Sequence, residues 1–305
     1  MTEIEYFLVD VFTSCKYGGN QLAVFIDFDD IASDKDMLNI ARELNFPEIT
    51  FIKKRDNNQS FDLRIFTPEY EVPFAGHPLL GTAFIISKYL LTEPRDIITL
   101  NLKDSDIDIS LTKVDDIDNS KFIMEQSTPE FIGIYEHEYI SKGLNLELDF
   151  IDTTKPIEEI STGLPYIIIP IVSLEKMGEI RLNSEDVIRF LTLNGRYKTN
   201  SRTGLSTSLF FFTEESFEEG NRFNSRMFCI ENGGLVEDAA TGSANGSFLA
   251  YLLKHGLSKI STRVEQGFQI NRRSYIDLYG EFKNGSYILK VGGQVVDVGR
   301  GMWKM

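Results

Sequence analysis

The chain has few cysteines, few histidines and no excess of positive charge. Its 305 residues include two cysteines, three histidines, 31 lysines and arginines, and 46 aspartates and glutamates, for a formal net charge of −15. Nucleic acids and anionic membranes are therefore disfavoured as partners, because both attract basic proteins. A small anionic ligand would need a local binding device, since the overall charge would repel it.

Several other features are missing as well. No apolar run is long enough to cross a bilayer, and the acidic N-terminal stretch MTEIEYFLVDVF predicts a strand where a secretory signal would be basic. Cys15 and Cys229 lack metal-type spacing, and we expect both to pack as small hydrophobes. Walker loops, dinucleotide fingerprints and metal-ligand clusters do not occur. These absences predict a cytoplasmic protein with no cofactor, no metal site and no membrane attachment.

The pattern of apolar residues predicts an α+β fold. Apolar residues at helical spacing favour a helix over residues 34–45, ended by Pro47, and a short strand follows at residues 49–52. The segments 79–86 and 248–253 are apolar on nearly every side. A helix without a polar face must be enclosed, so we expect each segment to be a central helix surrounded by strands.

The two apolar segments belong to a weak internal repeat. Aligning Ala75 with Ala240 places Gly81 opposite Gly246, and a strand and a Gly- or Pro-rich loop precede each helix. The repeat predicts two domains related by a pseudo-twofold axis, each a curled, mostly antiparallel sheet around one central helix. We place the boundary between them near the acidic stretch at residues 103–118.

The predicted helices begin in AGHP and ATGS, which contain candidate binding residues. A helix start offers unsatisfied backbone N–H groups and the positive end of the helix dipole, so it can bind an anion without a basic side chain. Gly76 allows close approach of a ligand, and Pro78 suits a first helical turn. His77 is either a functional imidazole at this start or a loop-fixing histidine.

Two carboxylates are the remaining candidates. Asp238 precedes the second helix, where an aspartate is also an ordinary N-cap residue. Glu48 is either a solvated surface carboxylate or a proton-transfer group, and its place between Pro47 and an apolar strand predicts partial burial. Burial raises the pKa of a carboxylic acid toward neutrality, which suits a group that takes and returns a proton.

The chain resembles the PhzF phenazine-biosynthesis-like family over nearly its whole length. The motifs that carry the resemblance are GGNQLAVF, ARELNFPEITF, RIFTPEYEVPFAGHPLLGTA, STGLPYIIIP, EDAATGSANG and EQGF. The resemblance implies the two-domain fold of diaminopimelate epimerase and proline racemase, with an active-site cleft between the domains. Their expected extents are residues 1–116, completed by a C-terminal strand at about 294–305, and residues 117–293.

The resemblance also implies isomerase chemistry and a role for each candidate. Glu48 matches the family's general acid and base, and His77, Asp238 and Ser243 match its assisting residues. Gly76 and Gly242 match backbone positions near the bound carboxylate of the substrate. We expect a small carboxylate as the ligand and a homodimer as the assembly.

Some positions depart from the related patterns. The chain has Gln21 and Ala239 where family members commonly have proline, and Pro47 where they have serine. The wider relatives place a catalytic thiol at each helix start, where this chain has Ala75 and Ala240. A mechanism with two thiols is thus disfavoured, and one glutamate is left as the base.

Two hypotheses of function follow. The first is an isomerase of a small carboxylate, since the side chains of Glu48, His77 and Asp238 are all present. The alternative is a non-catalytic protein of the same fold that binds a small molecule or a partner, motivated by the altered neighbours Pro47 and Ala239. Hydrogen exchange into candidate β,γ-unsaturated or cyclohexadiene carboxylates would distinguish the two.

Overall fold

The structure of the chain is a computed structural model that describes residues 2–55, 60–199, 204–231 and 233–305. It divides into two compact units, Met1–Glu125 with Gly292–Met305, and Gln126–Val291. The sequence had suggested boundaries at 116/117 and 293/294. The predicted pseudo-twofold axis and cleft stay predictions.

The first unit contains eight strands before the chain passes to the second unit. In chain order these are β1 (Glu3–Val11), β2 (Asn20–Ile26), β3 (Glu48–Arg55), β4 (Phe61–Phe66), β5 (Glu71–Val72), β6 (Ile97–Asn101), β7 (Asp106–Leu111) and β8 (Phe122–Glu125). Its helical segments are α1 (Asp34–Leu44), α2 (Gly76–Ile85), a π-helical turn (Ile86–Leu90) and a 3-10 turn (Ile117–Asn119).

The second unit repeats a similar succession of elements. Its strands are β9 (Glu130–Tyr135), β10 (Ile157–Ser161), β11 (Pro165–Pro170), β12 (Ser208–Thr213), β13 (Phe223–Glu231), β14 (Gly234–Asp238), β15 (Lys259–Gln266), β16 (Ser274–Lys283) and β17 (Ser286–Gly293). Its helices are α3 (His137–Leu144), α4 (Leu174–Glu179), α5 (Ser184–Leu193) and α6 (Gly242–Lys254), with 3-10 turns at Leu148–Phe150 and Phe268–Ile270. The last strand, β18 (Val295–Lys304), returns to the first unit and pairs antiparallel with β1.

Strand pairing follows the same pattern in the two units. In the first, β2–β3 and β4–β6 are parallel, and β1–β2, β3–β4, β4–β5, β6–β7 and β7–β8 are antiparallel. In the second, β11–β12 and β13–β15 are parallel, and β9–β10, β10–β11, β12–β13, β13–β14 and β15–β16 are antiparallel. The strands β2 to β5 therefore correspond to β11 to β14 in their pairing. The prediction of mostly antiparallel sheets agrees with these registers.

A buried helix lies among the strands of each unit. Every residue of α2 from His77 to Ile85 is buried, and the helix packs against β1, β2, β3, β6, β7, β8 and β18. Residues Gly242 to Leu253 of α6 are buried as well, and this helix packs against β10, β11 and β16. Both apolar segments are therefore central helices, as predicted, although each begins several residues before the segment that the sequence marked.

Local details correct three expectations. Helix α1 begins with a reciprocal capping box between Ser33 and Asp36, and it ends at Asn45 in the left-handed conformation, two residues before Pro47. Strand β3 begins at Glu48 itself, so the glutamate belongs to the sheet. Cys15 is exposed, which contradicts its expected packing, whereas Cys229 is partly buried.

No helix in the described part of the chain has both the length and the apolar character that a membrane span requires.

Candidate functional site

The start of α2 brings Gly76 and His77 to one end of the first unit. Gly76 is the first helical residue, and the preceding N-cap, Ala75, has an extended backbone and no side-chain group that caps the helix. The first-turn N–H groups are therefore left for another acceptor. His77 is the second helical residue and is only 6% exposed.

Burial decides the protonation state of His77. It lowers the pKa of the imidazole from 6.5 to about 3, although a hydrogen bond to the backbone of Gln21 opposes the shift. A hydrogen bond that raises the pKa stabilises the protonated ring, whose two nitrogens are both donors. The backbone partner is therefore the acceptor group of Gln21, its carbonyl oxygen. Since Nε2 has no hydrogen-bond partner among the described residues, the donor is Nδ1–H. His77 is thus neutral near pH 7, with an unused lone pair on Nε2.

Glu48 faces this lone pair. Its Oε2 lies 3.6 Å from His77 Nε2, and its side chain is 21% exposed. The distance exceeds that of a hydrogen bond, and a neutral imidazole forms no ion pair. Glu48 stands opposite Leu22 in the parallel pair β2–β3, next to the residue whose carbonyl holds the imidazole. One strand pair therefore orients both the carboxylate and the histidine.

Close packing beneath α2 fixes these two groups relative to each other. The hydroxyls of Thr50 on β3 and Thr82 on α2 lie 2.9 Å apart and are buried. A Cβ at Gly81 would stand 2.5 Å from Leu22 Cδ2 and 2.9 Å from Val11 Cγ2. Glycine is required there because the helix backbone touches the side chains of the sheet.

The start of α6 holds Gly242 and Ser243 in the second unit. Gly242 is the first helical residue, and its N-cap Thr241 makes no side-chain cap bond to the helix. Ser243, the second residue, is 7% exposed, and its Oγ lies 2.7 Å from the hydroxyl of Tyr166. Either hydroxyl can donate in this pair, so Ser243 can also act as a donor or an acceptor toward a ligand.

Asp238 is the last residue of β14 and is partly buried. Its Oδ2 accepts a hydrogen bond from the hydroxyl of Thr241. Its backbone oxygen accepts one from Gln266 Nε2 at 3.1 Å. The carboxylate is therefore held by a neighbouring residue of the loop that leads into α6.

Gln266 organises this loop, a role that sequence reasoning missed and to which only the EQGF motif points. Its side chain is fully buried, and Nε2 also donates to Thr241 Oγ1 at 3.0 Å. Its Oε1 accepts from the backbone N–H of Thr241 at 3.3 Å and from Asn245 Nδ2 at 3.0 Å. A chain of donors thus runs from Gln266 through Thr241 to Asp238. Gln266 is a positioning residue for the Asp238 carboxylate.

The residues next to Gln266 close the same loop from the other side. Gly267 has a φ of +75°, and a Cβ on it would lie 2.5 Å from the carbonyl oxygen of Ala239. Ser274 Oγ donates to that oxygen at 2.9 Å. The structure accordingly groups the six predicted site residues by unit: Glu48, Gly76 and His77 in the first, and Asp238, Gly242 and Ser243 in the second.

Comparisons with known proteins identify the family of the chain. The family model for phenazine biosynthesis-like proteins, PhzC-PhzF, matches residues 9–301. A trans-2,3-dihydro-3-hydroxyanthranilate isomerase of Pseudomonas fluorescens is 31% identical over 302 residues, covering 97% of this chain and 98% of that protein.

Solved structures share the fold at lower identity. A PhzF-family phenazine biosynthesis protein of Bacillus anthracis superimposes with a TM-score of 0.87 at 24% identity over all of both chains. A hydroxyproline epimerase of Agrobacterium vitis does so with a TM-score of 0.60 at 11% identity, over 99% of this chain and 92% of that one. The sheet-rich α/β fold is thus that of PhzF proteins and of the wider epimerases, and the chain belongs to the PhzC-PhzF family of phenazine biosynthesis-like proteins.

Proposed function

We propose that this protein is an isomerase that moves a proton between two carbons of a small unsaturated carboxylate, with Glu48 as the single general acid and base. The observation that carries the proposal is the Glu48 carboxylate beside a neutral, buried imidazole whose Nε2 lone pair is unused. The relatives named trans-2,3-dihydro-3-hydroxyanthranilate isomerase support this reaction class and indicate the first substrate to test.

The proton step uses one face of the substrate. The Glu48 carboxylate removes a proton from an activated sp³ carbon, and the electron pair of that C–H bond enters the conjugated system. The resulting carboxylic acid returns the proton to a second carbon of that system, and the Glu48 carboxylate is restored. General acid and base catalysis of this kind contributes about 10²- to 10⁴-fold in rate.

His77 acts as a hydrogen-bond acceptor in this scheme. With Nδ1–H donated to the Gln21 carbonyl, Nε2 can accept from a substrate O–H or N–H group. It can also accept from protonated Glu48 after a small approach from 3.6 Å, which would stabilise the intermediate acid. A protonated imidazole could do neither, so the low pKa is part of the proposed mechanism.

The remaining candidates are proposed to bind the substrate. Backbone N–H groups at the uncapped helix starts of Gly76 and Gly242 suit a carboxylate. Ser243 and Asp238 would bind polar substituents, with Asp238 oriented through Thr241 and Gln266.

Isomerisation in deuterium oxide tests the proposal. The protein is incubated with trans-2,3-dihydro-3-hydroxyanthranilate and with a panel of β,γ-unsaturated and cyclohexadiene carboxylates, and products are followed by NMR and mass spectrometry. We expect the isomerised product to form, with protium at the receiving carbon wherever Glu48 returns the proton before it exchanges with solvent, and with deuterium wherever exchange is faster. Isomerisation by Glu48→Gln at the wild-type rate would contradict the single glutamate.

The same experiment also tests the alternative hypothesis, a protein that binds a small molecule without turnover. If line broadening shows that a carboxylate of the panel binds, yet neither isomer nor deuterated substrate forms over prolonged incubation, the protein binds without turnover.

A further inference from the structure

A cavity lies in the first unit, apart from the candidate site. Its volume is about 550 Å³, within the range of roughly 300–1,000 Å³ that small-molecule sites occupy. The described residues that line it do not include Glu48 or His77; they are Ser14, Lys16, Lys88, Tyr89, Asp118, Val296, Asp297, Gly299 and Arg300.

One wall of the cavity is an irregular helical turn. Where α2 ends, the backbone N–H of Leu91 donates to the Ile86 carbonyl at 3.1 Å, a bond that spans five residues. This π-helical turn widens the helix and presents Lys88 and Tyr89 to the cavity. Single π-helical turns are frequent at functional sites.

The opposite wall is an irregular strand. The register of β1 with β18 shifts between Leu8, opposite Gly299, and Val9, opposite Asp297, so Val298 is an extra residue in β18. In a regular strand Asp297 and Arg300 would point to opposite faces. The bulge at Val298 restores them to one face, and both line the cavity.

The charges of the cavity are only partly compensated. Lys88 Nζ lies 2.6 Å from Asp118 Oδ1 and 3.6 Å from Asp297 Oδ2, and the hydroxyl of Tyr89 donates to the same Asp297 oxygen. One lysine therefore faces two carboxylates, and these three groups together carry a net charge of −1. Lys16 and Arg300 form no ion pair within the described residues, and Lys16 Nζ reaches only the backbone oxygen of Val298, at 3.4 Å. The lining thus has a net charge of +1 in a chain with a net charge of −15, and Lys16 and Arg300 are its cations without an ion pair among the described residues.

We propose that this cavity binds a small phosphate-bearing metabolite, with its phosphate on Arg300, Lys16 and the Ser14 hydroxyl. A phosphate group carries a charge of about −1.5 to −2 at pH 7, and Arg300 and Lys16 are the cations of the cavity that can pair with it directly. The guanidinium fork of Arg300 suits two phosphate oxygens, and Lys16 supplies a point charge. The engaged carboxylates of Asp118 and Asp297 keep lone pairs that can accept from hydroxyl groups of the same ligand.

Calorimetric titration with ribose 5-phosphate tests the proposal on the whole protein. We expect binding to the wild type, and at least a tenfold higher Kd for the double variant Lys16→Gln with Arg300→Gln. The matched control, Arg95→Gln with Lys103→Gln, removes the same charges from the same unit outside the cavity, and it should bind within twofold of the wild type. Glu48→Gln should also bind normally, so the result does not depend on the proposed isomerase activity.

Three results would overturn the assignment. The first is no binding of ribose 5-phosphate or inorganic phosphate at millimolar concentration. The second is an equal loss of affinity in the control variant, which would mean that the overall charge is responsible. The third is equally tight binding of succinate or unphosphorylated ribose, which would rule out recognition of the phosphate.

Discussion

The two central helices begin in different chemical surroundings, although the strands that precede them pair in the same order. Glu48 stands opposite Leu22 in β2–β3, and the corresponding position of β11–β12, opposite Tyr166, holds Ser208. Conversely, the position that Asp238 occupies at the end of β14 corresponds to Val72 at the end of β5.

The neighbours of these carboxylates differ as well. Glu48 lies beside a neutral imidazole that offers only a lone pair, whereas Asp238 accepts from a hydroxyl that Gln266 itself orients. A protonated carboxyl group can donate to a neighbouring acceptor, whereas the Asp238 carboxylate itself accepts from a fixed hydroxyl. The comparison supports the proposal that the carboxylate of the first unit transfers the proton and that the carboxylate of the second binds a polar substituent of the substrate.

The largest effect is expected from Glu48→Gln, which keeps size and hydrogen bonding but removes the basic carboxylate. Turnover in the isomerisation assay should fall by about 10²- to 10⁴-fold, the usual contribution of a general acid and base. The affinity for substrate should remain, because the helix starts still bind the carboxylate. Ser208→Ala, at the corresponding position of the second unit, is the control and should retain most activity. If Glu48→Gln retained near wild-type turnover while Asp238→Asn abolished it, the base would have to be Asp238.

The next largest effect is expected from Gln266→Met, which removes the side chain that orients the Asp238 carboxylate. Gln266→Met preserves volume but leaves the Thr241 N–H and the Asp238 carbonyl without their partner, at a cost of about 1–3 kcal/mol for each buried group. We expect the free energy of unfolding to fall by about 2–4 kcal/mol in chemical denaturation. Turnover of the folded variant should fall about tenfold, because Asp238 is no longer held in place.

Gln269→Met, which removes a single 3.3 Å bond to Asn224, is the matched control for Gln266→Met. If the two variants lost equal stability and activity, Gln266 would have no special role in holding the loop.

A smaller effect on the free energy of unfolding is expected from a change of pH, through the protonation of His77. The pKa of His77 is lowered to about 3 in the folded protein from 6.5, so the unfolded chain binds the proton more readily between these values. Stability therefore decreases as the pH falls below 6.5, by up to about 1.4 kcal/mol per pH unit from this residue. Denaturation of wild type and His77→Gln at pH 7 and pH 5 isolates the contribution. Between pH 7 and pH 5, the wild type should lose about 2 kcal/mol more free energy of unfolding than His77→Gln loses. An unchanged difference would mean that His77 titrates normally.

The smallest effect is expected from two substitutions that compare how tightly the central helices α2 and α6 pack. Ala at Gly81 would collide with the buried side chains of Leu22 and Val11, whereas Ala at Gly246 meets Oε1 and Cγ of Gln126, a half-buried, unbranched side chain that can shift. We expect Gly81→Ala to lower the free energy of unfolding by about 1–3 kcal/mol, as overpacked cores do. Gly246→Ala should cost less than about 1 kcal/mol, because alanine favours the helix. Equal costs in chemical denaturation would show that the helices pack with the same tightness.

Much of the fold could be predicted from patterns that are local in sequence. Two apolar segments without a polar face required enclosed helices, and the period of residues 34–45 marked α1 almost to the residue. The end of α1 was assigned to Pro47, because a left-handed Asn45 is harder to recognise from sequence than a proline. The exposure of Cys15 was missed because a turn after a strand has no periodicity to reveal it.

The candidate site was predictable only in part, for a related reason. Glu48, His77 and Asp238 stand in motifs next to prolines, glycines and helix starts, so their surroundings in sequence mark them. Gln266 acts on a loop about 25 residues away, and only the tertiary contact with Thr241 reveals its function. The neutral state of His77 depends on its burial, and its tautomer depends on the carbonyl of Gln21; no motif encodes either.

The return of β18 to the first unit has a consequence for synthesis on the ribosome. Residues Gln126–Val291 form a continuous unit, but β1 lacks its β18 neighbour until residues 295–304 have emerged. At roughly 5–20 residues per second, translation from the end of β8 to the end of β18 takes roughly 10–40 s. During that interval β1 presents an open edge, on which a chaperone or another strand can pair. The unit that contains Glu48 is therefore begun first and completed last.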